Sequence, residues 1–217
     1  IIGESGSGKT TLIKIMIGLH KIDRGTILFD GVDFNAIKIN EQRILRQKIG
    51  MLFQAGALYD SMTVEENIMF PLSMFTDKTQ EEKLERVNFC LKRVNLEGKN
   101  NLFPAELSGG MTKRVAIARA IVMQPKYLLC DEPNSGLDPK TAIIIDNLIQ
   151  EITKEYNITT IVNTHDMNSV MEIGENIAFI NHGEIWWTGN KDELLNSENT
   201  ELNDFVFASK LFKRLKQ

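Results

Sequence analysis

Apolar residues recur along the chain in two periods, and their order predicts an alternation of helices and strands. From Thr11 to Leu19 the apolar positions Leu12, Ile13, Ile15, Met16, Ile17 and Leu19 run nearly all round, the pattern of a helix buried inside an α/β domain, with Gly18 marking its end. Gly25–Gly31 reads as a short strand closed by an Asp30-Gly31 turn, and Ile49–Phe53 as a second strand ending at Gln54. From about Ala55 to Val122 the spacing becomes helical, over Thr63–Phe70, Thr79–Val94 and Met111–Met123. Alternation then resumes, with a strand at Tyr127–Asp131, a helix at Pro139–Tyr156, a strand at Thr159–Asn163 and a helix at Met167–Ile173. A hairpin of Ile177–Ile180 and Glu184–Thr188, turning at Asn181-His182-Gly183, follows, and Asn190 opens another helix.

Composition adds mostly exclusions. The 217 residues suffice for one large or two small domains, and 42% hydrophobic with 25% charged residues is ordinary globular usage. The net charge of −4 supplies no general attraction to nucleic acid, so no nucleic-acid partner is expected. The two cysteines, Cys90 and Cys130, stand in no metal or redox spacing; both are expected in the core of a protein from a reducing compartment. No apolar run approaches the roughly 18–20 residues that span a bilayer.

The chemistry begins at the first residues. Gly3-Glu4-Ser5-Gly6-Ser7-Gly8-Lys9-Thr10 fits G-x-x-x-x-G-K-[ST], a phosphate-binding loop. Glycines at these positions let backbone N–H groups turn inward onto phosphate oxygens, at the positive end of the following helix. Lys9 is expected to reach the β- and γ-phosphates, the Thr10 hydroxyl to bind Mg²⁺, and Thr11 to touch the α-phosphate. Such a loop normally follows a strand, and only Ile1-Ile2 precede it here; the expectation is a chain that continues upstream, with its N-terminal strands missing from this sequence. At the end of the apolar strand Tyr127–Cys130 stand Asp131 and Glu132, placed to hold Mg²⁺ and to orient or deprotonate an attacking water. Leu107-Ser108-Gly109-Gly110-Met111, alone, reads as a helix N-cap.

In their order, the phosphate loop, Gln54, Leu107–Met111, Asp131-Glu132, Ser135-Gly136-Leu137-Asp138 and His165 resemble the ATP-binding cassette (ABC) ATPases over essentially the whole chain. The resemblance implies a P-loop NTPase fold with a RecA-like parallel-sheet core and an inserted helical subdomain. It assigns 1–54 and 123–200 to the core, 55–122 to the helical subdomain and 201–217 to a tail. It implies binding of ATP and Mg²⁺, with ATP held by Gly3, Ser5, Gly6, Gly8, Lys9, Thr10 and Thr11. Thr10, Gln54 and Asp131 would serve the metal, and Glu132, His165 and Gln54 the chemistry. It also implies a head-to-tail homodimer in which Ser108, Gly109, Gly110 and Asp138 contact the nucleotide of the other subunit. The family's adenine-stacking aromatic lies upstream of the phosphate loop, so no residue here is named for that role.

One departure narrows the resemblance. The fifth signature residue is usually Gln and is Met111 here, followed by Lys113-Arg114-Val115; with Leu52–Val64 this looks like the ATPase of bacterial Mla/Mce-type phospholipid transporters. That implies transmembrane permease subunits, a possible Mce-type binding protein, and a place on the cytoplasmic side of the inner membrane. The alternatives are an amino-acid or lipoprotein transporter and, from another class, a non-hydrolysing ATP-binding regulatory subunit. Asp204–Gln217, with Phe205, Phe207, Leu211, Phe212 and Leu215 among four basic residues, reads either as a terminal helix packed on its own domain or as a segment docking on a neighbouring subunit.

Overall fold

The computed structural model describes residues 1–208. Its elements in chain order are α1 (Lys9–Met16), β1 (Leu28–Phe29), β2 (Val32–Asp33), α2 (Ile39–Gln47), β3 (Ile49–Leu52), α3 (Val64–Phe75) and α4 (Gln80–Arg93). After a 3-10 turn at Pro104–Glu106 come α5 (Gly109–Ile121), β4 (Tyr127–Asp131), α6 (Pro139–Glu155), β5 (Thr159–Asn163), α7 (Met167–Ile173), β6 (Ile177–Asn181), β7 (Glu184–Gly189), α8 (Lys191–Leu195) and α9 (Thr200–Val206). Strands β3, β4 and β5 form a parallel sheet with β4 central, and β6–β7 is an antiparallel hairpin. Ile2 joins the two, bridging Thr164 and Phe179 in parallel, with its N–H on the Ala178 carbonyl at 2.8 Å. A parallel sheet is buried on both faces, so β4 is a continuous apolar run, and all five of its residues are buried.

The largest core cluster runs through the helices and the sheet together. Ile68 and Leu72 of α3, Val87 and Cys90 of α4, Val115 and Ile117 of α5, Leu128 and Cys130 of β4, and Ile145 and Ile149 of α6 belong to one buried cluster. The helical segment therefore rests directly on the sheet that carries the acidic pair. Ile145 is fully buried there. Ile145→Ala is expected to destabilise the fold by about 2–5 kcal/mol, read as a lowered urea midpoint at unchanged m-value.

Local chemistry explains most boundaries. Thr63, Thr79, Ser108 and Asp138 each N-cap a helix by accepting a backbone N–H, and Thr63 and Thr79 complete capping boxes with Glu66 and Glu82. Asn190 caps α8 in the same way, as its sequence setting predicts. The hairpin turns tightly on His182 and Gly183, at φ 49° and 81°, the left-handed geometry of a two-residue turn.

Several expectations are corrected. The strand expected over Gly25–Gly31 shrinks to Leu28–Phe29, paired across the Asp30-Gly31 turn with Val32–Asp33. Helix α2 is not among the expected elements; its nine residues carry three apolar side chains, Ile39, Ile44 and Leu45, and none of its residues is buried. Helix α3 runs past Phe70 to Phe75 through Pro71. Helix α1 ends at Met16 and buries only Lys9 and Ile13, and Leu19 is exposed, so its all-round apolar surface is not covered by the described residues. Of the tail, Asp204–Val206 falls in α9, where Phe205 stacks on Phe179 at 5.5 Å and Val206 and Phe207 are buried against their own domain. Leu211, Phe212 and Leu215 lie outside the described residues.

Candidate nucleotide site

The phosphate-type loop is shaped by backbone freedom and close approach. Gly3, Gly6 and Gly8 all have positive φ, at 152°, 82° and 107°. At Gly3 space is decisive as well, because a Cβ would sit 2.2 Å from the Ile180 carbonyl oxygen. The β6–β7 turn closes the other side, where the Gly183 N–H donates to the Ser7 carbonyl at 3.1 Å. Nothing in the residue pattern signals that contact, since it joins backbone to backbone. Among the described residues the buried Ser7 hydroxyl has no hydrogen-bond partner, an uncompensated polar atom inside the loop. Lys9 is buried and donates from Nζ to the carbonyls of Gly3 and Glu4 at 2.8 and 2.9 Å. Ser5, Gly6 and Thr11 are exposed.

Strand β4 delivers its two carboxylates to this loop. Thr10 Oγ1 donates to Asp131 Oδ1 at 2.9 Å, and Asn163 Nδ2 donates to the same oxygen at 3.3 Å. One hydroxyl beside one buried carboxylate is an all-oxygen donor pair of the hard kind that Mg²⁺ prefers, so the residues present fit that ion. Glu132 is buried as well; its Oε2 lies 2.7 Å from His165 Nδ1, and its Oε1 is 3.8 Å from Lys9 Nζ. Thus Lys9, Thr10, Asp131, Glu132 and His165, drawn from three separated stretches of chain, meet in one place.

Gln54 is placed beside this group. Its Nε2 donates to Ser135 Oγ at 3.3 Å, and it makes no hydrogen bond to Thr10 or Asp131. Beneath it lies Lys113 of α5, whose buried ammonium bonds the main chain of both Gln54 and Glu132. Burial lowers the pKa of Lys113, opposed by the nearby charges of Glu132 and Asp131 and by Cys130. In the sequence Lys113 stands out only as part of the stretch after the signature, and nothing there signals this contact. Cys130, fully buried, is pushed up to about 12 and stays a thiol, in keeping with a core role.

A second group sits apart from the first. Ser108 Oγ accepts the Met111 N–H at 3.3 Å, and Asp138 accepts the Thr141 N–H at 3.1 Å. Hydrogen bonds from Thr141 hold the Asp138 carboxyl below its usual pKa. The starts of α5 and α6 touch closely: a Cβ on Gly110 would lie 2.6 Å from Thr141 Cγ2, and one on Gly109 3.3 Å from Leu137. Among the described residues, no hydrogen bond or ion pair links Ser108, Gly109, Gly110 or Asp138 to the loop of residues 3–11. His20 and His182 are exposed and take no part in either group.

Known proteins resemble this chain in sequence and in fold. The ABC transporter family profile matches residues 1–135. The methionine import ATP-binding protein MetN 2 of Bacillus cereus is 44% identical over 185 residues, 85% of this chain and 54% of the relative. The probable ribonucleotide transport ATP-binding protein mkl of Mycobacterium leprae is 37% identical over 206 residues, 95% of this chain and 59% of the relative. The chain thus spans little more than half the length of these curated relatives. Among solved structures, the dimeric ATP-binding cassette MJ0796 bound to ADP and Pi superposes with a TM-score of 0.79 at 36% identity, covering 87% of this chain and 83% of that one. CbiO1 of Clostridium perfringens, part of the transporter complex cbiONQ, gives 0.83 at 31% identity, covering 100% and 86%. With a matching profile over most of the chain, relatives above 40% identity and the same fold, this chain belongs to the ABC transporter family.

Proposed function

We propose that the chain is the ATP-hydrolysing part of a membrane transporter, acting as a head-to-tail homodimer beneath permease subunits on the cytoplasmic face of the membrane. The carrying observation is the meeting of Glu132, His165, Lys9, Thr10 and Asp131 within hydrogen-bond or ion-pair reach. Residues Gly3–Thr11 would cradle the phosphates of ATP. Thr10 and Asp131, with Gln54 beside them, would hold Mg²⁺, which when bound neutralises charge on the phosphates. Lys9 must leave the Gly3 and Glu4 carbonyls to meet phosphate oxygens, an exchange of one set of acceptors for a charged one. Glu132 is the residue that orients and deprotonates the attacking water, and His165, bonded to its Oε2, fixes that carboxylate and faces the γ-phosphate. A merely regulatory ATP-binding subunit has no need of this Glu–His pair. Residues 1–54 and 123–200 would form the catalytic core, 55–122 the helical subdomain and 201–217 a tail.

Two observations bear on the cargo. Relatives at 44% identity are named for methionine import, which favours an amino acid, and the comparisons support this reading better. Met111 in the signature and the stretch Leu52–Val64 favour a phospholipid with an Mce-type binding protein. The ATPase rate of the full-length protein reconstituted with its own permease separates them. Stimulation of at least about threefold by methionine with its binding protein, and none by phospholipid-loaded partner, establishes the first; the reverse establishes the second.

A further inference from the structure

Lys113 carries a buried charge that the proposed chemistry leaves unused. It lies on α5, one and a half turns past the Ser108 cap, with 5% of its surface exposed. Its Nζ donates to two main-chain carbonyls, that of Gln54 and, at 3.2 Å, that of Glu132. Among the described residues it forms no ion pair. A buried ammonium is tolerated only where hydrogen bonds replace its water, so these two carbonyls hold Lys113 in place as firmly as it holds them.

Both carbonyls belong to residues whose placement matters. Glu132 has a φ of 49°, the left-handed region, which disfavours a residue with a Cβ. That conformation is held from both ends: its N–H donates to the Asn163 carbonyl at 3.0 Å, while its own carbonyl accepts from Lys113 and from the Ser135 N–H at 3.2 Å. Gln54 opens the loop after β3, and the same helix grips that loop again further on. Arg119 donates to the Gly56 and Ala57 carbonyls at 2.7 Å each. The loop also lies tight on α5, since a Cβ on Gly56 would come 3.2 Å from Thr112 Cγ2.

We propose that Lys113 is a positioning residue that fastens the Gln54 loop and the left-handed backbone of Glu132 to the helix carrying Ser108. The inference rests on the ATPase reading. Lys113 acts only through the main chain of residues that do touch the reaction. A displacement of the Gln54 loop reaches the backbone of Glu132 through one ammonium group, and a displacement of α5 reaches both. Three donors on a single nitrogen suit the task, because two carbonyls from different segments are served at once.

The test compares Lys113→Met, Lys113→Ala and Lys113→Gln with the unaltered full-length protein and with Glu132→Gln, in steady-state ATP turnover. Methionine fills the same space without a donor, and alanine is the second donor-free variant should the methionine variant not fold. Either is expected to lose about 20-fold in kcat with the KM for ATP within about threefold, since the phosphate-binding loop is untouched and what is lost is the placement of Glu132 and of the Gln54 loop. Lys113→Gln, which restores an N–H donor, is expected to recover to within about threefold of the unaltered kcat. A folded donor-free variant that keeps its kcat, a KM that rises in step with the fall in kcat, or a glutamine variant no better than methionine would each overturn the role. If Glu132→Gln stops turnover and Lys113→Met does not, this inference alone falls; if the unaltered protein shows no hydrolysis, the ATPase reading falls and takes it along.

Discussion

Glu132→Gln is expected to leave ATP binding intact and lower turnover by about 100-fold or more, the range that a well-placed general base contributes. The substitution keeps the size of the side chain and an oxygen for His165 Nδ1, which now stands 2.7 Å from Oε2. It removes the negative charge 3.8 Å from Lys9 Nζ, so affinity for the ATP anion should hold or rise slightly. What it cannot keep is a group that accepts the proton of water. Hydrolysis is therefore lost at a step after binding, and the ATP-bound dimer should accumulate on size-exclusion chromatography. A variant that turns over ATP at the unaltered rate would show that Glu132 is not the carboxylate that works on water. Lys9→Ala is the contrasting case: it removes the charge that meets the phosphates, and its defect should appear in equilibrium ATP binding itself.

The features legible in the sequence are those that local chemistry writes into consecutive residues. The loop of Gly3–Thr10, the buried run of β4 ending in two carboxylates, and the cap at Ser108 all belong to this kind. The features that were not legible involve main-chain groups met from far away. Nothing in a basic residue on a helix announces that its ammonium ends on the carbonyls of residues 54 and 132, and Arg119 on those of residues 56 and 57 is the same case. The left-handed turn at Glu132 is likewise invisible, because the residue type that ordinarily marks such backbone is glycine. The short α2 escaped for a different reason. It packs only Leu45 against the small cluster of Phe29, Phe34 and Tyr127 and is held otherwise by polar contacts such as Arg46, which donates to the Ile17 carbonyl at 3.0 Å, so three apolar residues in nine give little to read. Helix α1 shows the converse, an apolar pattern stronger than the burial it receives from the described residues.

The separation of Ser108, Gly109, Gly110 and Asp138 from the phosphate-type loop carries the remaining expectation. At the start of α5 the Ser108 hydroxyl is used once, on the Met111 N–H, while helix geometry leaves the Gly109 and Gly110 N–H groups without intrahelical acceptors. Such an end favours an anion, and among the described residues no hydrogen bond or ion pair joins it to the loop of the same chain. In a two-fold pair each subunit can offer this end to the other's phosphates. Lys9→Ala and Ser108→Arg proteins should therefore each be inactive alone, every site holding one damaged half. Mixed, they form some dimers in which the intact loop of one faces the intact helix end of the other. Random exchange then restores up to roughly a quarter of the sites, and ATPase activity should reappear to about that extent at equal concentrations. Differently tagged subunits, purified through both tags in turn, isolate the mixed dimer for direct assay. Activity absent from that purified species would mean that Ser108 serves the nucleotide of its own chain or none, and the head-to-tail arrangement would have to be given up.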